Sequence, residues 1–278
     1  MKKRVVVFGG RGFIGSNFCK ILKEKKIHFV VVGSDKINFL KKNSVTKSLD
    51  LLRKDDYIFF SCALAPCKNL KMYEENFKMI MNFAKVLMKF KDFNKLIYIS
   101  SDAVFTDTLN KINENSCKSP NNYHGLMHYQ REVILKSIVP QNKICIIRPT
   151  LVFGKKDPHN GYGPNQFYRL AKESKPIKLF GKGEERRDHI FIDDLSNIIF
   201  KCFKSNFYGE INAVTGKLIS FLEIAKYFQK KYDVKIEYTK RNAPIPHNGY
   251  RAFNNNKLKK LFPNFKFSKF KNYLSNLN

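Results

Sequence analysis

Three glycines spaced by three, Gly9-x-x-Gly12-x-x-Gly15, follow directly on the apolar run Val5-Val6-Val7-Phe8, and a helical pattern runs on from Ser16 to Lys25. In that context each glycine has a task. The first allows a tight turn, the second lets a pyrophosphate approach bare backbone, and the third lets the helix pack close to the strand. The helix start, where Phe13 and Ile14 fall, then presents unpaired N–H groups and a positive dipole end to the phosphates. This chemistry is dinucleotide binding. Asp35, 20 residues after Gly15, has the spacing of the carboxylate that takes the ribose diol and selects NAD. Gly33-Ser34 before it and Lys36 after it keep a phosphate-accepting arrangement, and so NADP, open as the alternative. Asp50 is either a contact to the adenine end or a solvated loop residue.

The composition narrows the class. A chain of 278 residues with 43% hydrophobic content suits one large α/β unit or two interleaved lobes. The six cysteines (Cys19, Cys62, Cys67, Cys117, Cys145, Cys202) form no CxxC pair and no metal spacing, so they read as reduced residues of a cytoplasmic protein, and no metal site is expected. Lys2-Lys3-Arg4 before Val5 has the look of a signal peptide, but Gly9, Gly10 and Arg11 end the apolar run after four residues. No apolar run is long enough to span a membrane. The net charge of +29 is spread along the chain without a nucleic-acid-binding motif, so nucleic acid is not an expected partner.

The elements that must position the glycines alternate through the first half. Strands are expected at Lys3–Phe8, Phe29–Val32, Tyr57–Ser61, Lys95–Ser100 and Lys143–Ile147. Helices are expected at Gly12–Lys25, Tyr73–Phe90 and His124–Ser137. Nearly continuous apolar strands in such alternation imply a Rossmann-type, doubly wound parallel sheet with ligands at the carboxyl ends of its strands. From about residue 155 the texture changes. A loop covers Asp157–Pro164, a helix starts near Asn165, and strands follow at Ile177–Phe180 and Arg187–Ile192. Helices at Leu195–Phe203 and Phe221–Tyr232, a strand at Val234–Tyr238 and a lysine-rich tail complete the chain. The expected organisation is a dinucleotide domain at 1–154, with 186–204 returning to it, and a smaller, interleaved C-terminal substrate lobe at 155–278.

Several separated stretches, taken in order, carry a resemblance. They are the glycine trio; Asp56-Tyr57-Ile58-Phe59-Phe60-Ser61-Cys62-Ala63; Asn76 in the helix that follows; Ile99-Ser100-Ser101-Asp102-Ala103-Val104-Phe105; Arg148-Pro149-Thr150-Leu151-Val152-Phe153-Gly154; and Arg186-Arg187-Asp188-His189-Ile190-Phe191-Ile192-Asp193-Asp194-Leu195. Over nearly its full length the chain resembles the NAD-dependent epimerase/dehydratase family, extended short-chain dehydrogenase/reductases that act on nucleotide sugars. The resemblance implies cofactor contacts at Ala63 and Asn76, and a Ser101 hydroxyl that holds the sugar hydroxyl or keto oxygen. It also implies a phosphate-binding arginine at Arg251, just before Phe253-Asn254.

One departure bears on the chemistry. The family moves hydride with Tyr-x-x-x-Lys on a helix: the lysine lowers the tyrosine pKa and holds the nicotinamide ribose, while the tyrosine moves the hydroxyl proton. Here the stretch reads Pro120-Asn121-Asn122-Tyr123-His124-Gly125-Leu126-Met127-His128-Tyr129-Gln130-Arg131-Glu132. Tyr123 as the tyrosine puts Met127 at the lysine position. Anchoring on Gly125 and Glu132 instead makes the pair His124 and His128. Each pair lies on one helix face, but the two faces differ by about 100° of rotation, so only one can meet the nicotinamide. The second register is preferred, because Gly125 and Glu132 then keep their family places. His124 replaces the tyrosine as general base, and His128 bonds the ribose in place of the lysine. The alternative is a helix that has lost catalysis.

In the second lobe, Asn165 is a helix-start ligand or a cap, and Arg187, with Arg186, has the donor geometry for a diphosphate. Asp193 and Asp194 read as orienting groups, and His159 and His247 as solvated loop histidines. The expected protein is an NAD-dependent epimerase or reductase of a nucleotide-diphosphate sugar, serving surface-glycan biosynthesis. A dehydratase is disfavoured, since Asp102-Ala103 lacks the acidic pair those enzymes use. The resemblance implies a homodimer through the Tyr73–Phe90 and His124–Ser137 helices. The rival is a non-catalytic NAD(P)-binding sensor or partner subunit.

Overall fold

The computed structural model describes residues 3–242 and 244–275; Lys2 of the basic opening lies outside them. The chain runs β1 (Arg4–Phe8), α1 (Phe13–Glu24), β2 (His28–Val32), α2 (Ser44–Leu51), β3 (Tyr57–Phe60), α3 (Leu70–Lys89) and β4 (Lys95–Ile99). It continues with α4 (Tyr123–Ile138), β5 (Ile144–Pro149), β6 (Leu151–Phe153), α5 (Pro164–Lys172), β7 (Ile177–Phe180), β8 (Arg186–Arg187) and β9 (His189–Phe191). Then come α6 (Ile192–Lys204), β10 (Gly209–Ala213), β11 (Ile219–Ser220), α7 (Phe221–Tyr232), β12 (Ile236–Thr239), β13 (Tyr250–Arg251), α8 (Asn256–Leu261) and α9 (Phe270–Ser275).

Two compact units emerge. The first comprises residues up to Thr106, Glu114–Pro149 and Ser196–Asn212. Its six-stranded sheet has the order β10-β5-β4-β3-β1-β2, with the neighbours among β1–β5 paired in parallel. The order reverses at β1, which has β2 on one side and β3 on the other. That reversal is the switch point where open α/β sheets bind their ligands, and the glycine turn leaves β1 there. Strand residues alternate between two covered faces. Val6, Phe8, Ile58, Phe60 and Tyr98 pack with Phe83 of α3 and Leu135 of α4. On the opposite face Phe18 of α1 meets Phe59 at 4.8 Å, and Phe203 of α6 meets Tyr57 at 4.9 Å. The sheet is therefore doubly wound.

The second unit comprises Asp107–Asn113, Thr150–Leu195 and the residues from Ala213 on. It is built from small sheets: β6 with β9, β7 with β12, and β8 between β11 and β13. An aromatic core of Phe153, Phe191 and Tyr273 lies under the first, while Tyr162, Phe167 and Phe221 join α5 to α7. The capping box of Ser220 and Glu223 starts α7.

Some expectations change. The single strand expected at Arg187–Ile192 is split into β8 and β9, because the Asp188 carboxylate turns away to accept from the Thr215 and Gly216 N–H groups. Helix α6 starts at Ile192 rather than at Leu195. The helix α2 and the strand β10 had no expectation. Ser44–Leu51 carries little apolar periodicity, and β10 opens on Gly209-Glu210 before reaching its buried Ile211.

Candidate active site

The glycines build a tight cradle. Gly9 has φ +82°, a left-handed conformation natural to glycine, and its N–H donates to Val32 O at 2.9 Å. A Cβ on Gly15 would lie 2.2 Å from Gly9 O, so the first turn of α1 touches the end of β1 with no room for a side chain. Gly12 occupies the N-cap and supplies no side-chain bond. The N–H groups of Phe13, Ile14 and Gly15 therefore open α1 without a side-chain acceptor, which fits a pyrophosphate. Asp35 lies past Gly33 at the end of β2, half-exposed, and pairs with Arg11 at 2.9 Å. A carboxylate for a ribose diol and a guanidinium for a 2′-phosphate thus stand side by side.

Asn76 differs from its expected role. Its Nδ2 donates to Leu64 O and Met72 O, and its Oδ1 accepts from Leu64 N and Arg131 Nη2. Two donor and two acceptor positions exhaust a carboxamide, so Asn76 has no capacity left for a cofactor. It fixes instead the turn Cys62–Leu64 that carries Ala63. Arg131, fully buried, completes the clamp through Cys62 O at 2.7 Å and Asn76 O at 2.8 Å. The sequence reading missed Arg131, whose signal was an arginine three positions beyond His128 on the same helix face.

Ser101 lies two residues past the end of β4 and accepts from Ala103 N at 3.1 Å, starting a short turn over Asp102–Val104. Helix α4 meets that turn at Gly125, where a Cβ would lie 2.1 Å from Ala103 O. Glu132 is fully buried and grips Arg148 with both oxygens, at 2.8 Å and 2.6 Å, while the Ser100 hydroxyl donates to it at 2.5 Å. The two anchors of the preferred register thus fix α4 against the Ser100–Ala103 segment. On the same helix His124 and His128 stack edge to face at 4.8 Å. Cys67 N lies 3.4 Å from His124 Nδ1, and the Tyr98 hydroxyl 2.9 Å from His128 Nδ1. Burial first, then His124 and Arg131, hold the His128 imidazole well below its usual range, so it is neutral at physiological pH. Tyr123 is 41% exposed, with its ring against Tyr73, and Met127 is buried in the core.

In the second unit, Asn165 does not cap α5. It bonds Gly154 reciprocally, Nδ2 to O at 2.7 Å and Oδ1 from N at 3.1 Å. Arg187 is nearly buried and pairs with Glu185 at 3.2 Å. Arg251 is buried and pairs with Asp107 at 2.7 Å. His247, expected as a solvated loop residue, contacts that same carboxylate. Asp107 lies 140 residues from His247, so no local pattern could have joined them. Asp194, expected to orient, accepts from the Tyr273 hydroxyl, and burial raises it to about 6.

Comparison with known proteins agrees with this geometry. The chain is 27% identical over 267 residues to an ADP-L-glycero-D-manno-heptose-6-epimerase of Brachyspira hyodysenteriae, covering 84% of this chain and 83% of that protein. Its fold matches a UDP-N-acetylglucosamine 4-epimerase from Methanobrevibacter ruminantium with a TM-score of 0.85 at 21% identity, over 100% of this chain and 97% of the other. It also matches a Thermus thermophilus UDP-glucose 4-epimerase complexed with NAD, with a TM-score of 0.84 at 18% identity over 99% and 97%. The sequence profile of one family, NAD dependent epimerase/dehydratase, spans residues 5–213, from β1 through the glycine cradle, the Ser101 turn and α4 to the edge strand β10. By that match, and by a glycine cradle at the switch point of the sheet that agrees with it, the chain belongs to the NAD dependent epimerase/dehydratase family of enzymes.

Proposed function

We propose that this protein is a nucleotide-sugar epimerase or reductase in surface-glycan biosynthesis, working with NAD. The observation that carries the reading is the His124–His128 pair, stacked on α4 where Gly125 seats that helix against the Ser101 turn. Gly9, Gly12, Phe13, Ile14 and Gly15 hold the pyrophosphate, Ala63 lines the cofactor side, and Asp35 takes the ribose diol. When bound, the nicotinamide accepts or returns a hydride at a sugar carbon. Ser101 holds the oxygen on that carbon. His124 receives the hydroxyl proton as the carbonyl forms, and returns it on reduction. His128 is neutral and acts as a hydrogen-bonding group rather than as a charge. Arg187 and Arg251 hold the substrate diphosphate, and Asn165 shapes the Gly154 turn. Asp35 favours NAD, while Arg11 beside it is the group that NADP would recruit.

Incubating the protein and NAD with UDP-, GDP-, ADP-, CDP- and dTDP-sugars, followed by chromatography and mass spectrometry, tests the reading. Conversion of at least one member to an epimer or a product of altered mass is expected. The non-catalytic reading is favoured by one observation, the absence of an ionisable side chain at Met127 and of a charged one at His128. NAD binding without conversion of any member would support it.

The protein is proposed to form a homodimer through α3 and α4. Leu70, Phe77 and Met88 recur at helical spacing along α3, and Tyr123, Leu126 and Val133 along α4; all six are exposed. The two helices lie together, joined by the Tyr73–Gln130 hydrogen bond at 2.7 Å. Two such faces are self-complementary about a twofold axis. Val133→Glu would bury an unpaired charge at that interface. It is expected to weaken dimerisation by at least about 100-fold. Light scattering should then find the chain mass rather than twice that mass, and a wild-type monomer would refute the assignment.

A further inference from the structure

Arg131 is a buried cation that the proposed reaction does not use. It is 1% exposed, and its guanidinium donates to neutral oxygens: Nη1 to Cys62 O at 2.7 Å, and Nη2 to Asn76 O and Oδ1, each at 2.8 Å. Its hydrogen-bond partners among the described residues thus include no carboxylate, and its Nε is buried without an acceptor. Glu132, next to it in sequence, is taken by Arg148 and Ser100. An interior charge without a counter-ion is costly. Neutral donors could serve the same oxygens, so the clamp on the Cys62–Leu64 turn does not by itself account for a guanidinium.

The charge lies beside the histidine pair. His124, His128 and Arg131 follow one another at spacings of four and three, along one face of α4. Tyr98 of β4 is buried, and its hydroxyl is 2.9 Å from His128 Nδ1, its one acceptor among the described residues. A buried O–H without an acceptor is costly. Tyr98 therefore donates, Nδ1 accepts, and the proton of the neutral ring sits on Nε2. Arg131 acts on both groups. Burial pushes the Tyr98 hydroxyl up, and Arg131 opposes that push while Glu132 adds to it. Burial holds His128 down, with His124 and Arg131 adding to the effect. A cation at this place polarises the hydroxyl and strengthens its donation to Nδ1. The same field disfavours a second cation on the neighbouring turn of the helix.

We propose that Arg131 supplies the positive charge that α4 lacks at position 128, and that Tyr98 is the positioning residue that couples the two. Tyr98 keeps the His128 proton on Nε2, so that the ring offers an N–H to the ribose of the nicotinamide half. The guanidinium supplies the field that an ammonium on the histidine's own position would have supplied. The work of one lysine is divided between a neutral donor and a fixed cation. The ribose contact rests on the NAD-dependent enzyme reading; the tautomer and the exclusion of a second cation do not.

Nitrogen-15 NMR of the imidazoles in the full chain reads the tautomer, with the His128 signals assigned by their loss in His128→Gln. The wild type is expected to show Nε2 protonated and Nδ1 bare, and Tyr98→Phe to lose that preference. Thermal unfolding reads the charge exchange. His128→Lys places a second cation beside Arg131 and should lower the Tm; Arg131→Met lowers it by removing the clamp. Combined, the two should cost clearly less than the sum of the single losses, because each removes the other's penalty. Turnover of the sugar converted in the panel should fall about tenfold in Tyr98→Phe with its KM unchanged, the effect of one hydrogen bond. An Nδ1–H ring in the wild type overturns the proposal, as do His128→Lys and Arg131→Met losses that simply add. Should the panel show conversion beside either of those results, the enzyme reading stands and this proposal fails. An Nε2–H ring and coupled variants in a protein that converts no sugar uphold the charge exchange while the enzyme reading fails.

Discussion

Replacing His124 with alanine is expected to lower turnover by about 10²–10⁴-fold, the range for loss of a positioned general base, while dinucleotide binding is retained. The argument is geometric. The ring sits in the first turn of α4, with its Nδ1 3.4 Å from Cys67 N and its edge against His128. The pyrophosphate contacts are assigned to the backbone of Gly9–Gly15, which this truncation does not alter. Tyr123→Phe should change turnover by no more than about threefold, since that ring is largely exposed against Tyr73 and Met127 is buried out of reach. Single-turnover kinetics with the converted sugar, beside fluorescence titration of NADH, separate the two effects. If Tyr123→Phe abolishes turnover and His124→Ala preserves it, the registers have been assigned the wrong way round. Tyr98→Phe adds a finer measure: it removes the hydrogen bond to His128 Nδ1 and should shift the pH profile without preventing folding.

Glu132→Gln is expected to destabilise the fold by about 3–5 kcal/mol, as the breaking of a buried ion pair does. Both partners are wholly buried, Arg148 donates from Nε and Nη2, and the Ser100 hydroxyl uses the same carboxylate. The amide keeps the shape but turns an N–H₂ toward one of the guanidinium donors and leaves Glu210, at 3.7 Å, as the one carboxylate paired with Arg148 among the described residues. A loss of that size is a large part of ordinary domain stability. Because Ser100 precedes Ser101, residual folded protein should also lose turnover. Urea unfolding monitored by circular dichroism measures the change, and a loss below about 1 kcal/mol would show that the pair contributes only what a surface pair does. Replacing both partners, Glu132→Leu with Arg148→Met, should recover much of the stability but not the turnover.

These two residues show where sequence reading succeeds. Glu132 and Gly125 were singled out by the resemblance to the family's motif, and each carries a close contact: a buried bidentate pair, and a backbone approach closed to any side chain. The same holds for Gly9 and Gly15. Where a residue type is the only one that fits a constraint, the constraint is legible in the chain.

The sequence by itself determined the strand-turn-helix at Gly9–Gly15, the parallel alternation of β1 to β5, and the helix on which His124 and His128 share a face. All of these follow from local periodicity and steric exclusion. Tertiary structure decided the rest. Asn76 had the right place for a cofactor ligand, but its amide is exhausted by Leu64, Met72 and Arg131. His128 stood where a cation was wanted, but burial keeps it neutral. Arg251 had the charge for a phosphate, yet it is held by Asp107, whose partners lie 140 and 144 residues away. Whether a polar group is available to a ligand depends on burial and on partners that the folded chain brings from far along the sequence, and no local spacing records them.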